Sequence, residues 1–328
     1  MWPVIQKAVE CVLSLFLIGF LGYVLARRRW FTPETSALLP RLVIMVTLPL
    51  YMFVNIVDSL SRDDLISLLH GVVVPALSIG LSFGLAALMA LLIRVRPGRR
   101  GLFCTGSATS NTIFIGLPVN VALFGEAALP CVLAYYFANT TFFWTVGNYC
   151  LSLDGQRARE PIFSRATLRQ IFSPPLIGFL LGVLLVLLGG EPAGLRPPQF
   201  FMDAASRVGQ LTTPLAIIFI GLTLAGIKLK NLKPDRDVIM LLLGRLVVSP
   251  LTIILLLLLW RRLGLALPPL MAKVFIIQSS LPVVSSAVLM AGYHRSDAAY
   301  ASVVVSLSTL LAMITIPAYM VVISLLFG

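Results

Sequence analysis

The sequence predicts an all-α polytopic membrane protein, because it is strongly apolar, poor in charge and built from recurring apolar runs. Of its 328 residues, 59% are hydrophobic and only 12% are charged, and the mean hydropathy is +0.98. Soluble domains contain about a quarter charged residues. Runs of roughly 20 apolar residues, enough for a helix to cross a bilayer, recur along the whole chain. No polar block is long enough for a soluble domain, so residues 1–328 are expected to form one membrane domain.

Ten apolar spans account for the chain, and we predict a transmembrane helix for each of them. The predicted spans are 8–26, 37–57, 69–93, 101–124, 128–152, 173–189, 204–227, 238–260, 270–292 and 298–327. The first span is not expected to be a cleaved signal peptide, since the basic cluster Arg27 to Arg29 follows the apolar run instead of preceding it.

Basic residues are divided unequally between alternate loops. Six lie in the loops of one side (Lys7, Arg62, Arg196, Arg261, Arg262 and Lys273). Sixteen lie on the other side: Arg27, Arg28, Arg29, Arg94, Arg96, Arg99, Arg100, Arg157, Arg159, Arg165, Arg169, Lys228, Lys230, Lys233, Arg236 and Arg295. Lys and Arg concentrate in cytoplasmic loops, so both termini are predicted to lie outside the cytoplasm. The net charge of +12 therefore indicates contact with anionic lipid, and no nucleic-acid partner is expected.

Several classes of chemistry are not expected. The four cysteines, Cys11, Cys104, Cys131 and Cys150, have no metal-ligand spacing and suggest no disulfide framework. No metalloprotease, phosphate-loop or nucleophile-elbow motif is present, so an enzyme is not expected. All 13 acidic residues map to loops or span ends, which disfavours a proton relay through buried carboxylates. No cofactor is predicted, but coupling to Na⁺ or H⁺ stays open, because carbonyls and hydroxyls of broken helices can hold Na⁺.

The two halves of the chain echo each other. Because each half contains five spans, an odd number, the halves would have opposite orientations, which predicts an inverted 5+5 repeat of residues 1–153 and 171–328. The echoes are Thr47-Leu48-Pro49-Leu50 with Thr212-Thr213-Pro214-Leu215, 165 residues apart, and Gly116-Leu117-Pro118 with Ser280-Leu281-Pro282, 164 apart.

Spans 4 and 9 carry the candidate binding residues. Gly116 and Pro118 are expected to break span 4 at about half its depth, and the echo predicts a second break at Pro282. Half-helix N-termini meeting there would suit an anionic solute. The alternative is kinked helices whose serines bond their own backbone or aid packing. The candidate site residues are Asn111, Thr112, Gly116, Pro118, Arg245, Gln278, Ser279, Pro282, Ser285 and Ser286.

The position of Arg245, about a third of the way into span 8, allows two interpretations. Its guanidinium matches a carboxylate and would add positive potential to the site. Alternatively it snorkels to the cytoplasmic headgroups from a helix that begins near Asp237, and its position favours this second reading.

Six short segments together resemble the auxin efflux carrier family, which includes bacterial malonate- and malate-type permeases and the plant PIN carriers. The resemblance implies ten helices with both termini outside, a scaffold domain of spans 1, 2, 6 and 7, and a moving transport domain of spans 3–5 and 8–10. Spans 4 and 9 would cross at the substrate, with Asn111 bonding a substrate carboxylate. The segments are Thr47-Leu48-Pro49, Asn111-Thr112-x3-Gly116-x-Pro118, Ser173 to Gly178, Pro214 to Gly221, Arg245-Leu246 with Pro250, and Gln278-x3-Pro282.

The expected function is secondary transport of organic anions, mono- or dicarboxylates, across the bacterial inner membrane by an elevator motion. Relatives often carry an asparagine or a second proline where this chain has Ser285, Ser286 and Ala287, so an indole acid and a small dicarboxylate both stay open. The alternatives are a sodium-coupled symporter resembling bile-acid carriers, and a carboxylate sensor that does not transport. The expected partners are the organic anion, membrane lipid and, through the scaffold helices, a second copy of the chain.

Overall fold

The computed structural model describes residues 2–61, 65, 68, 70–155, 161–162, 164–188, 197–226, 234–265 and 267–327. Across these ranges the chain is helical and contains no strand; its extended backbone includes one isolated antiparallel bridge, between Ser110 and Val283. Seven basic residues of the loop comparison lie outside the described residues: Arg62, Arg157, Arg159, Arg196, Lys228, Lys230 and Lys233.

The helices follow the apolar runs. The described α-helices are α1 (Trp2–Arg27), α2 (Pro33–Leu42), α3 (Leu48–Ser59), α4 (Val73–Leu92), α5 (Arg100–Ala108), α6 (Leu117–Phe124), α7 (Leu129–Phe142), α8 (Asn148–Asp154), α9 (Arg165–Ile171), α10 (Pro174–Leu188), α11 (Gln199–Gly209), α12 (Thr212–Gly226), α13 (Arg236–Leu243), α14 (Ser249–Arg262), α15 (Pro269–Ser280), α16 (Ser286–His294) and α17 (Ala298–Phe327). Single π-helical turns join α2 to α3, α7 to α8 and α13 to α14, and another precedes α6.

Within the described ranges, five helical segments are long and apolar enough to cross a membrane, which makes the chain a multi-pass membrane protein. They are Leu38–Asp58, Val73–Leu92, Gln199–Gly226, Arg236–Arg262 and Ala298–Leu326. One face of α4 presents a stripe of exposed leucines at helical spacing, as expected of a lipid-facing surface. The stripe consists of Leu77, Leu81, Leu85, Leu88 and Leu92.

Three of the π-turns explain how prolines are accommodated inside long helices. Proline lacks an N–H and its ring clashes with an earlier carbonyl, so a regular α-helical turn cannot be kept. Widening the turn by one residue relieves the clash between the proline ring and the earlier carbonyl. In each of the three turns a backbone N–H donates to the carbonyl five residues earlier, for example from Gly116 to Asn111 at 3.0 Å. The turns and their prolines are Val43–Thr47 with Pro49, Thr112–Gly116 with Pro118, and Gly244–Val248 with Pro250.

Two helix pairs form one side of the molecule, and glycines let them approach closely. Helix α1 packs along α12, and α10 packs along α3. Gly22 of α1 lies against the backbone of Ile218, and Gly178 of α10 lies against the backbone of Pro49, where a Cβ atom would collide in both cases. The remaining long helices, α4, α14, α15 and α17, pack on one another and on α5 and α16.

A charge cluster ties three helix beginnings together at one end of this second group. The guanidinium of Arg99, just before α5, lies 2.6 Å from Asp235 and 2.7 Å from Asp297, and it sits 4.5 Å from the centre of the Tyr300 ring. Asp235 also accepts the Val238 N–H at the start of α13. Burial raises the pKa of Asp235, but the Val238 N–H and the Arg99 charge outweigh this and lower it overall.

Candidate functional site

Two helix interruptions lie side by side in the interior. Helix α5 ends at Ala108 and a helix resumes at Thr112, while α15 ends at Ser280 and α16 begins at Ser286. The extended residues between them meet at the Ser110–Val283 bridge, and the Asn111 N–H donates to the Pro282 carbonyl at 2.9 Å. Both predicted spans are therefore interrupted, and the interruptions cross.

The first interruption lies at residues 109–111, and the expectation that Gly116 and Pro118 form it is wrong. Pro118 lies inside the continuous helical stretch of residues 112–124, where the π-turn closed by Gly116 accommodates its missing N–H. Gly116 instead allows close packing, since a Cβ atom on it would collide with Leu281 and Gln278.

Asn139 of α7 replaces the hydrogen bonds that the interruption removes. Its side-chain oxygen accepts the Ser110 N–H at 2.9 Å, and its amide donates to the Ser110 carbonyl at 3.0 Å. On the other interruption, Val283 N–H donates to the hydroxyl of Ser308 at 3.1 Å. Neither Asn139 nor Ser308 is among the residues predicted from the sequence; for Asn139 the available signal is the polar run Asn139-Thr140-Thr141 inside an apolar span.

A cavity of about 380 Å³ lies against the crossing. Four of the predicted residues line it, namely Asn111, Thr112, Ser285 and Ser286, and the Asn111 amide donates to the Ser285 hydroxyl at 2.8 Å. The remaining lining residues supply an apolar and aromatic wall with a few polar groups: Ile44, Met45, Leu48, Ser110, Ile113, Phe114, Tyr136, Asn139, Thr140, Phe143, Trp144, Gln170, Ser173, Pro175 and Val284.

Backbone groups are the available source of positive charge at the described wall of this cavity. None of its described lining residues is charged. The helical segments that begin at Thr112 and at Ser286 both start on its wall, and neither has a side-chain cap. A helix N-terminus carries roughly half a positive charge and presents N–H groups to an anion.

The other predicted residues support the crossing without lining this cavity. Gln278 and Ser279 are fully buried in the last turn of α15, and Ser279 donates to its own helix at the Ile276 carbonyl. Pro282 contributes its carbonyl to Asn111. Pro118 lines a separate apolar cavity of about 350 Å³ between α1, α6, α12 and α17.

Arg245 does not reach the headgroups, so the snorkelling reading is wrong. Its side chain is 0% exposed, and its two terminal nitrogens point at the carbonyls of Ser279 and Ser107, the latter at 3.4 Å. It does not line the cavity either. The guanidinium lies between the last turns of α5 and α15.

Two tyrosines make side-chain hydrogen bonds between separate elements. The Tyr51 hydroxyl of α3 donates to the carboxylate of Glu126, which lies in the turn between α6 and α7. At the cavity wall, where Gln170 and Ser173 are also found, the hydroxyls of Tyr136 and Ser173 are 3.0 Å apart.

Comparison with known proteins identifies relatives over nearly the whole chain. A family model described as "Membrane transport protein" matches residues 7–320. An uncharacterized transporter of Methanothermobacter thermautotrophicus is 29% identical over 325 residues, which is 97% of this chain and 99% of that protein. A Rhizobium meliloti protein named "Putative malonate transporter" is 25% identical over 311 residues, covering 93% and 92% of the two chains.

Proposed function

The chain belongs to the membrane transport protein family, and we propose that it is a secondary transporter that carries small organic anions, mono- or dicarboxylates, across the inner membrane. The observation that carries this proposal is the cavity at the crossing, where the Asn111 amide and two uncapped helix starts meet. At about 380 Å³ the cavity is near the small end of ligand pockets, which run from about 300 to 1,000 Å³. The malonate name of the Rhizobium meliloti relative supports a carboxylate.

The cavity offers distinct partners to the two parts of such a solute. The carboxylate would accept hydrogen bonds from Asn111, from the hydroxyls of Ser285 and Ser286, and from backbone N–H groups at the two helix starts. The carbon skeleton would lie against Phe114 and Trp144. Two helix starts together supply about one positive charge, which matches one carboxylate without a buried lysine or arginine.

Ten spans arranged as an inverted 5+5 repeat form the second part of the proposal. Residues related by a two-fold axis can touch each other only on that axis. The hydroxyls of Thr47 and Thr212, which occupy equivalent places in the echoed segments, are 2.9 Å apart. The bridged residues Ser110 and Val283, one in each helix interruption, are 173 residues apart in the chain. This separation is about nine residues larger than the 164 residues between Pro118 and Pro282.

An elevator motion is the third part. The pairs α1–α12 and α10–α3, which pack closely at glycines, would form a rigid scaffold. The helices around the crossing would form a second body that moves against this scaffold. In the arrangement seen, the cavity reaches Gln170 and Ser173, on the side predicted to be cytoplasmic. The Tyr51–Glu126 hydrogen bond links the two bodies near the other side. With both termini outside, this would be an inward-open state.

Counterflow in proteoliposomes tests the proposal. Vesicles preloaded with unlabelled malonate should accumulate labelled malonate, and a panel of other mono- and dicarboxylates should compete. Asn111→Ala should reduce uptake at least tenfold, because it removes the amide that faces the cavity. Asn120→Ala is the matched control: Asn120 is also fully buried, but it bonds the Gly116 carbonyl of its own helix and does not line the cavity.

The proposal fails if no carboxylate of the panel is taken up, or if Asn111→Ala transports as well as the parent. Thermal stabilisation by a carboxylate without any uptake would indicate a sensor instead of a carrier.

A further inference from the structure

Arg245 occupies the place where two helix ends meet. Helices α5 and α15 both terminate at the crossing, and the carbonyls of Ser107 and Ser279 belong to their last turns. The two terminal nitrogens of one guanidinium point at these two carbonyls. Among the described residues, Arg245 makes no ion pair, and its polar neighbours include the hydroxyls of Tyr135 and Tyr319.

The charges at this point balance without a carboxylate. The last turn of a helix leaves carbonyls without N–H partners, and each helix C-terminus carries about half a negative charge. Two such ends add up to about one negative charge, which one guanidinium neutralises. In transporters with broken helices, the same kind of carbonyls can instead coordinate Na⁺.

We propose that Arg245 is a built-in cation that stands where a coupling Na⁺ would otherwise bind, so that the crossing is held together and the carrier works without Na⁺. The transport half of this inference rests on the proposed function, whereas the structural half does not. Arg245 is a positioning residue: it holds the ends of α5 and α15 together and thereby fixes the position of Asn111 and Ser285, which follow these two helix ends in the chain.

Removing the guanidinium would leave a set of oxygens suited to Na⁺. The Ser107 and Ser279 carbonyls would lose their cation, the buried hydroxyl of Ser107 has no hydrogen-bond partner among the described residues, and the Tyr135 hydroxyl lies beside the vacated place. Carbonyl and hydroxyl oxygens are the ligands preferred by hard cations. Replacing Arg245 by a small residue should therefore create a dependence on Na⁺ that the parent protein lacks.

Thermal unfolding of the purified, ligand-free protein tests this, in NaCl against choline chloride at equal ionic strength. The parent and Arg245→Lys should unfold at the same temperature in both salts. Arg245→Ser should unfold at a lower temperature in choline and regain about 5 °C when Na⁺ exceeds its dissociation constant about a hundredfold. Arg207→Ser is the matched control, because Arg207 is exposed and distant in sequence from the crossing, and Na⁺ should not affect it.

Stabilisation of the parent by Na⁺ would overturn the proposal, and so would a folded Arg245→Ser protein that responds equally to both salts. If Arg245→Ser does not fold, the test depends on the parent and Arg245→Lys. Equal unfolding temperatures in NaCl and choline chloride for both proteins support the proposal, and a higher unfolding temperature in NaCl for either one refutes it. Counterflow by the parent should proceed at the same rate in Na⁺-free buffer. If the Na⁺ pattern holds but no carboxylate is transported, the role of Arg245 stands and the proposed substrate class fails.

Discussion

Asn139 provides the sharpest test of how the first interruption is stabilised. Its side chain is 2% exposed and hydrogen-bonds both backbone groups of Ser110, one as acceptor and one as donor. In Asn139→Ala the Ser110 N–H loses its partner, whereas the Ser110 carbonyl keeps the Thr112 N–H at 3.0 Å. Buried backbone polar groups are nearly always paired, so the vacancy at the N–H should be costly.

The magnitude follows from the two hydrogen bonds that are lost. A buried donor left unsatisfied costs about 1–3 kcal/mol, and losing the Asn139 bond to the Ser110 carbonyl adds about 1 kcal/mol, which gives about 2–4 kcal/mol together. Large domains shift by about 2 °C per kcal/mol, which predicts a decrease of about 4–8 °C in the unfolding temperature of Asn139→Ala. Asn139→Asp keeps an acceptor for the Ser110 N–H and loses the donor, so its decrease should be smaller.

Thermal unfolding in detergent, followed by tryptophan fluorescence, measures these shifts, and Asn120→Ala is the control. Asn120 is 0% exposed, so its truncation opens a space of the same size, but its amide reaches only the Gly116 carbonyl of its own helix. The reasoning is refuted if the two alanine variants lose the same stability, because the loss would then come from the vacated volume and not from the unpaired backbone.

Three further predictions concern the ends of the cavity and the charge cluster. Tyr51→Phe removes the hydrogen bond to Glu126, so a cysteine placed in the cavity should react with a reagent added from outside about tenfold faster; an unchanged rate would contradict this. Ser285→Ala removes the acceptor of the Asn111 amide and leaves that amide free for the solute, so competition assays should show carboxylate binding at least as tight as in the parent; weaker binding would show that the hydroxyl does not compete with the solute for this amide. The pKa of Asp235 is lowered from 3.8, so its stabilising contribution is present above that pH and is lost as the pH falls through its lower folded-state pKa. Arg99→Gln should therefore lower the free energy of unfolding at neutral pH by about 1 kcal/mol, and the unfolding temperature should depend less on pH below about 4. If the unfolding temperatures of the parent and the variant fall in parallel with pH, the coupling between Arg99 and Asp235 is refuted.

The helical architecture and the polar residues of the crossing could be predicted from local patterns. Apolar length predicts membrane helices because every backbone group must be paired within the bilayer, and this holds for each segment taken alone. Asn111, Thr112, Ser285 and Ser286 could be identified because polar side chains are rare inside such segments, and all four line the cavity.

The position of the first interruption could not be predicted, because it depends on residues far away in the chain. Pro118 lacks a backbone N–H, but the π-turn before it accommodates this without interrupting the helix. The helix opens instead at Ser110, where Asn139 from another helix supplies the hydrogen bonds. Arg245 shows the same limit: its carbonyl partners at Ser107 and Ser279 are 138 and 34 residues distant, so only the fold reveals that it lies between two helix ends.

The hydrogen bond between Asn111 and Ser285 limits how tightly any cargo can be held. A carboxylate that enters the cavity must displace the Ser285 hydroxyl before it can take the Asn111 amide. Such an exchange replaces one hydrogen bond by another, and the net gain is on the order of 1 kcal/mol instead of the full strength of the new bond. A carboxylate carried in this cavity would therefore be loosely held and quickly released, and the Ser285 hydroxyl would then return to the Asn111 amide. Low affinity of this kind favours turnover, because a solute bound tightly on one side of the membrane would delay every cycle on the other.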